Sequence, residues 1–505
     1  MNSSDLRPVA PHNPPRIIPR AEHTVSRAHI SPNALRVLYR LRDAGFQGFL
    51  VGGCVRDLLL GLEPKDFDVA TDALPEQVKR LFRNCRLVGR RFRLAHVFFG
   101  QEIIEVATFR AASAPAQGEE PVEEGAEEEE GAEADEDGMI DQGGPLTEVH
   151  AADFEAEHLD RVAPPPDADL ERQFDATGRI LRDNVYGTID EDVWRRDFTA
   201  NALYYNIADF SIWDYVGGAE DIAARRLRLI GDPETRYRED PVRMLRAARF
   251  EAKLGFEIEP ASAEPIERLR TLLGGVPPAR LFDEMLKLFL TGHGARSLPV
   301  LRRRGMLDAL LPNVAHYLSA HPGSLVERLL LQGLANTDAR VSAGRSVTPT
   351  FLFALLLYGP IAAIIESMPP SRWHEISAIL EACDQAVRDA QRHIAIPKRF
   401  SLGLREMFAL QPRLEYPRGR RSLRLIGHPR FRAGYDLLLL RAQFGLASAE
   451  RAQWWTDVQA ASAEEQGRMA DALAAPSERP AGQKGRRRRR GGRRRAGPSS
   501  GSGGA

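Results

Sequence analysis

FLVGGCVRDLLLGLEPKDFDVAT, residues 49–71, is the stretch whose reading decides the fold. Phe49, Leu50 and Val51 are a short apolar run of the kind a buried strand uses, and it stops abruptly at Gly52-Gly53. Two glycines there allow a tight turn and let the backbone approach a ligand with no Cβ in the way. Residues 55–60 carry helical spacing, which puts the glycines at a helix N-terminus, where unbonded N–H groups and the helix dipole favour a phosphate. Asp66 and Asp68 flank Phe67 in a segment that runs on into Val69. In a strand the side-chain period is two, so both carboxylates take one face and Phe67 the other. Two hard oxygen ligands beside a phosphate cradle suit magnesium, which shares its shell with substrate phosphates. A Gly-Gly pair alone is more often plain turn chemistry, and an Asp-x-Asp alone more often a solvated face. In this order, within about 25 residues, they predict metal-assisted chemistry on a nucleotide.

Working outward, Ser31-Pro32 reads as an N-cap followed by proline at the first helical position, and Gly45 closes the helix that follows. Residues 74–82 form another helix, and 87–100 (LVGRRFRLAHVFFG) a strand, a basic connection and a strand. Residues 102–109 (EIIEVATF) continue as a strand with Glu105 between Ile104 and Val106. An acid in an apolar strand is costly unless paired or bound to a cation, which makes Glu105 a candidate third acid beside Asp66 and Asp68.

The formal net charge of −1 is a cancellation. Residues 113–172 hold about 21 carboxylates against two arginines, about −19, and residues 476–505 carry about +9. The remainder is a basic body of about +9, suited to a polyanionic partner. The acidic stretch is low-complexity and reads as a disordered insertion, and the arginine-rich end, with Arg487 and Arg488, as a disordered tail that binds RNA by counterion release. Three scattered cysteines have neither zinc nor disulfide spacing, no signal peptide is evident, and the most apolar run, 351–358, is too short to span a bilayer. These features fit a cytoplasmic protein. The length implies several domains.

After the insertion, RRDFT (residues 195–199) reads as a helix opening, with Leu203 and Tyr204 on later turns. Arg195 and Arg196 there can bind a triphosphate, arginine being favoured for its forked donors. Residues 236–250 (RYREDPVRMLRAARF) place Asp240 as N-cap before Pro241, with Arg243, Arg246 and Arg249 along one slowly rotating face. That face reads either as a solvated basic surface or as part of a base-reading site, since an arginine and a carboxylate at one helix start match the edge of a purine. From Pro277 helical spacing runs for about 200 residues. It is interrupted by basic stretches at 397–400, with Lys398 and Arg399, and at 418–432, with Arg420 and Arg421. Residues 1–29 read as irregular.

The ordered series LVGGCVRDLLLG, PKDFDVAT, EVATFR, RRDFTANALYYN and REDPVRMLRAARF resembles the class II nucleotidyltransferases of the polymerase-beta superfamily, which comprise bacterial poly(A) polymerases and CCA-adding tRNA enzymes. The resemblance covers residues 30–112 and 173–460. Within the family, LVGRRFRLAHV with Arg90, Arg91 and Arg93 looks like the poly(A) polymerase pattern, as do the arginine-rich end and HPRFRAGYDLLLLRA. Two departures stand out: the acidic insertion, and Cys54 where the family usually has a glycine or small residue.

The resemblance implies an α+β chain. A nucleotidyltransferase head with a mixed sheet covers 30–205, interrupted at 113–172; a helical nucleotide-recognition neck covers 206–275 and a helical RNA-binding body 276–475. It implies template-independent addition of AMP from ATP to an RNA 3′-hydroxyl, the alternatives being CCA addition or a non-catalytic RNA-binding adaptor of RNA decay. Gly52, Gly53, Arg56, Arg195 and Arg196 would take the triphosphate of ATP. Asp66 and Asp68 would hold two magnesium ions, with Glu105 or Asp197 as third acid and Asp197 ranked slightly ahead. Glu239, Asp240, Arg243 and Arg246 would recognise the nucleotide. RNA 3′ ends are the implied partner, and the RNA-decay machinery a further one.

Overall fold

The structure is a computed structural model that describes residues 14–89, 93–111, 172–174, 180–183 and 186–474. The acidic segment 113–171 and the basic end 475–505 lie outside the described residues, as do Arg90, Arg91, Arg487 and Arg488. The chain forms two compact units, Met1–Phe408 and Ala409–Ala505.

The first unit is built on a mixed sheet. Its strands are β1 (Arg16–Ile18), β2 (Gly48–Val51), β3 (Asp68–Thr71), β4 (Cys85–Val88), β5 (Leu94–Phe99) and β6 (Glu102–Thr108). A separate antiparallel hairpin of β7 (Arg172–Phe174) and β8 (Ile180–Asp183) follows, and then β9 (Leu203–Asn206) and β10 (Ile212–Asp214) rejoin the sheet. The strand order is β1-β10-β9-β2-β3-β6-β5-β4, with β3 and β6 parallel and the other neighbours antiparallel. α1 (Pro32–Asp43) starts at the expected Ser31, whose hydroxyl accepts from the Asn33 N–H. Its buried Val37, Leu38 and Leu41 cover the β2 side of the sheet, where Gly48 leaves just enough room: a Cβ there would lie 3.5 Å from Leu38 and Leu41. Each buried aliphatic side chain of this kind contributes about 1.5–3 kcal/mol. Another buried cluster gathers Phe49, Val51, Ala70, Phe109, Val193 and Tyr204, so the strands that carry the site are anchored by their apolar neighbours.

Two local expectations are corrected. Residues 195–204 are not one helix. α2 (Gly53–Leu59) and α3 (Pro75–Leu81) are followed by α4 (Ile189–Arg195), which ends where the new helix was expected to begin. The chain then extends through Arg196, makes one 3-10 turn at Thr199–Asn201 and enters β9. The reason is tertiary: Leu203, Tyr204 and Tyr205 are all buried, and β9 is hydrogen-bonded on both sides, to β2 and β10. α4 carries its own start signal, a capping box in which Thr188 and Glu191 bond each other's backbone N–H. The N-terminal segment is not wholly irregular either, because β1 pairs with β10 along the sheet edge and buries Ile18.

α5 (Gly218–Ala223), α6 (Pro233–Glu239) and α7 (Val242–Leu254) lead out of the sheet region. The helical stretch expected from Pro277 opens as Pro278–Phe289 and continues through helices that include Gly294–Arg303, Leu325–Ser342 and Ile376–Gln391. Among the described residues no single helix is long and apolar enough to cross a membrane. The second unit has its own core, in which Leu410, Leu414, Phe431, Tyr435, Leu438 and Trp455 pack together and the Trp455 indole N–H donates to the Leu414 carbonyl at 2.8 Å.

Candidate active site

β2 ends at Val51 and the chain turns through Gly52 at φ 81° and ψ −137°, a backbone region open to glycine and strained for an L side chain. A Cβ placed on Gly52 would lie 3.7 Å from Asp68 Oδ2 and 3.9 Å from Arg196 Nη1. A carboxylate, a guanidinium and a bare peptide therefore share one small surface. Gly53 begins α2, and its neighbour Cys54 is buried beneath the turn, its thiol donating to the Val51 carbonyl. Burial first, then the Asp68 charge, pushes that thiol up to about 12, so it stays protonated and packs as a small apolar side chain.

The register brings the acids together. Asp68 stands opposite Glu105 on the parallel pair β3–β6, and Glu105 stands opposite His96 on β5 with 3.8 Å between Nε2 and Oε2. Residues in register point to one face, so Asp68 and Glu105 are side by side. Asp66 lies in the loop just before β3 rather than on the strand, yet its charge acts on both. Asp68 is open to water on one side and walled by protein on the others. That partial desolvation first, then the Glu105 charge, pushes its carboxyl up to about 6, against the pull of Arg196. Burial, and then Asp66, also raises Glu105. The three carboxylates repel one another, a charge that a divalent cation would relieve. Among the described residues, no group of three His, Cys, Asp or Glu side chains is drawn up around a single point.

Asp197 keeps different company. Its Oδ2 accepts from Arg246 Nε at 2.7 Å and its Oδ1 from the Phe198 N–H at 2.8 Å. Burial alone would raise its carboxyl, but Arg246 outweighs that and holds it low. Arg196 is held by α4: its Nε and Nη2 donate to Asp192 Oδ2 at 3.2 and 3.0 Å, and Nε also to the Tyr204 hydroxyl at 2.8 Å. The Arg195 and Arg196 carbonyls are both gripped by Arg236 Nη2. Arg56 faces inward instead: its side chain is only 2% exposed, with Nε and Nη2 on Asp57 and Nη1 on Asn201 at 2.6 Å.

The arginine face of α7 is not a solvated surface. Arg243 pairs with Glu239, Arg246 with Asp197, and Arg249 with Glu284 of helix Pro278–Phe289. Glu239 also accepts from Arg236. Asp240 takes the capping role by accepting from the Val242 N–H, and both its oxygens receive Arg280, at 2.8 and 2.7 Å. Burial opposes the Asp240 charge, but Arg280 outweighs it and holds the carboxyl low. Asp192 and Arg280 had no part in the sequence reading, and Tyr204 and Arg236 entered it with no role at the site. Asp192 was findable, four residues before Arg196 at helical spacing; Arg280, 40 residues from its partner, left no local signal.

Residues 48–228 match the family described as the Poly A polymerase head domain, residues 371–495 the "Polymerase A arginine-rich C-terminus", and residues 255–318 the "Probable RNA and SrmB- binding site of polymerase A". The poly(A) polymerase I of Salmonella typhi is 45% identical over 460 residues, 90% of this chain and 88% of that protein. The chain belongs to the poly(A) polymerase family. A CCA-adding enzyme of Bacillus pumilus is 31% identical over 269 residues, 53% of this chain and 52% of that one. A solved tRNA nucleotidyltransferase, complexed with a primer tRNA and an incoming ATP analogue, superposes with a TM-score of 0.50 at 18% identity. That alignment covers 84% of this chain and 98% of the other, a likeness of fold.

In this member of the poly(A) polymerase family the expected RNA-binding residues are dispersed. Arg93, at the start of β5, is bridged to Glu76 of α3 at 3.0 Å. Lys398 and Arg399 are exposed at the start of helix Lys398–Glu415, and the Arg399 guanidinium lies 4.8 Å from the centre of the Phe400 ring. In the second unit Arg421 is exposed, while Arg420 is bound by Asp471, with its Nη2 2.6 Å from Oδ2.

Proposed function

We propose that this site joins AMP from ATP to the 3′-hydroxyl of RNA without a template. The chain is then a polynucleotide adenylyltransferase. The observation that carries this reading is the juxtaposition at Gly52 of Asp68 and the Arg196 Nη1, with Glu105 in register beside Asp68. Polyadenylation is favoured over CCA addition because the poly(A) polymerase relative is matched over 88% of its length and the CCA-adding one over 52%.

The chain's own residues have distinct tasks. Gly52 admits the triphosphate to the backbone, and Arg196, fixed by Asp192 and Tyr204, turns Nη1 toward its charge. Asp66 and Asp68 would hold magnesium, in two ions by the family pattern, which would activate the 3′-hydroxyl and neutralise charge on the phosphates. Glu105 is the third acid by position, and Asp197 orients the Arg196 segment from behind through Arg246. Glu239 and Arg243, joined at 2.9 Å, offer an acceptor and a donor at the start of α7 for reading adenine, with Asp240 steadied by Arg280 and Arg246 by Asp197. Arg56 shapes the turn from the inside, and Gly53 leaves room for it, since a Cβ there would lie 3.4 Å from Arg56 Nη2. Arg93, Lys398, Arg399, Arg420 and Arg421 would contribute phosphate contacts to RNA. The cytoplasm, and delivery of the tailed RNA to decay enzymes, complete the proposal; three unpaired, buried cysteines accord with a reducing compartment.

The test is to incubate the protein with magnesium and a short 3′-hydroxyl RNA, one nucleoside triphosphate at a time, and to size the products on a gel. Long ladders with ATP alone support the proposal. Short additions that need CTP point to CCA addition, and RNA binding without extension to an adaptor.

A further inference from the structure

Arg196 is held on three sides. Its guanidinium carbon lies 5.1 Å from the centre of the Tyr204 ring, Nε and Nη2 donate to Asp192 Oδ2, and Nε also donates to the Tyr204 hydroxyl. The Tyr204 hydroxyl in turn donates to the same Asp192 oxygen at 2.7 Å. Nη1 makes no hydrogen bond among the described residues, and it and Asp68 Oδ2 both lie within 4 Å of one point above Gly52. Two opposite charges so placed tend to close into an ion pair. Such a pair would occupy both the cation meant for the triphosphate and the carboxylate meant for the metal.

We propose that Asp192, assisted by Tyr204, is a positioning residue that holds Arg196 back from Asp68, so that Nη1 stays available to substrate and Asp68 to a divalent cation. The proposal rests on the reading of this surface as the nucleotide site. Asp192 has the reach for the task. Its Oδ2 takes Arg196 and Tyr204, while its Oδ1 accepts from the Arg110 N–H at 3.3 Å, just past the end of the strand that carries Glu105. Tyr204 stands in register with Val51, the residue before the glycine turn. One carboxylate thus fixes the arginine relative to the strand that bears Glu105 and, through Tyr204, to the strand that runs into the glycine turn. Asp192 and Tyr204 are almost fully enclosed, so the clamp is rigid, and α4 supplies Asp192 four positions before Arg196, the residue at which the helix ends.

The test uses the full chain without RNA. Calorimetry reads ATP affinity, electron paramagnetic resonance reads Mn2+ binding, and RNA affinity is measured separately. Asp192→Asn is expected to weaken both ATP and Mn2+ about tenfold, the scale of one charge-assisted hydrogen bond, with RNA affinity unchanged. Asp192→Glu should recover part of both, and Tyr204→Phe, which removes only the hydroxyl, should move both the same way by less. An Asp192→Asn protein that binds ATP and Mn2+ like the parent overturns the proposal. So does one that loses RNA and ATP affinity alike, because that is general loosening. If Asp192→Asn does not fold, Tyr204→Phe decides alone, and unchanged ATP and Mn2+ affinity in it overturns the clamp. Asp68→Asn separates the levels: continued ATP-dependent extension by that variant would remove the functional reading itself, whatever Asp192 does.

Discussion

Asp68 and Glu105 stand directly opposite one another on the parallel strands β3 and β6, with like charges and no arginine or lysine ion-paired to either side chain among the described residues. The Asp68 carboxyl, raised to about 6 by burial and then by Glu105, makes a stability prediction with a definite sign. Between the ordinary aspartate value of 3.8 and about 6, the folded chain keeps a proton that the unfolded chain has lost. The stabilisation from this group is therefore complete at lower pH and is lost as pH rises through that window. In EDTA, melting temperature corrected with an Asp68→Asn reference should fall between pH 4 and 6, and magnesium should restore it above pH 6. A flat difference curve would show that Asp68 titrates normally.

Glu105 and Asp197 separate in mutagenesis. Glu105→Gln should leave the melting temperature near that of the parent while lowering kcat by about a hundredfold or more, since its side chain has only the loose contact with His96 to lose besides the proposed metal role. Asp197→Asn breaks a pair in which the carboxylate is enclosed and Arg246 reaches water, and should cost about 1–3 kcal/mol of stability. Urea unfolding and steady-state kinetics on both proteins check this. A fully stable, inactive Asp197→Asn protein would return Asp197 to the chemistry.

Gly52→Ala tests the turn. A Cβ there meets Asp68 and Arg196 only at ordinary contact distance, so the cost is backbone strain at φ 81° rather than collision. We expect about 1–3 kcal/mol of destabilisation. The loss of ATP affinity should be larger in proportion, because relaxing the strain moves the peptide that is proposed to face the triphosphate. Denaturant midpoints and ATP KM, measured together, give the comparison.

The strand–turn–helix unit and the acids were legible because they are local. Val51 to Gly53 and Asp68 carry their geometry in adjacent residues, and Glu105 was exposed by its cost in an apolar strand. What sequence could not supply was company. Leu203 and Tyr204 read as helix turns, and their pairing with β2 and β10 makes them a strand instead. The arginines of α7 left a solvated face and a base-reading site both open, because the partners of Arg246 and Arg249, Asp197 and Glu284, lie 49 and 35 residues away. Asp192 was hidden in plain view, its pairing with Arg196 depending on where α4 ends.

Arg56 is the sharpest case of company deciding role. An arginine three residues after the glycine turn suggests a grip on phosphate, but its guanidinium is enclosed and bonded to Asp57 and Asn201. Removing it strands the Asp57 carboxylate and the Asn201 carbonyl away from water. Arg56→Met should therefore cost about 3–5 kcal/mol. Arg56→Lys should recover little, because one ammonium cannot reproduce the fork that reaches both partners. Among molecules that remain folded, ATP KM should stay within about twofold of the parent, below the effect of losing a direct charged contact. Urea denaturation, followed by kinetics well below the unfolding midpoint, separates the two effects. Unchanged stability with a large rise in ATP KM would mean that Arg56 turns outward and meets the nucleotide.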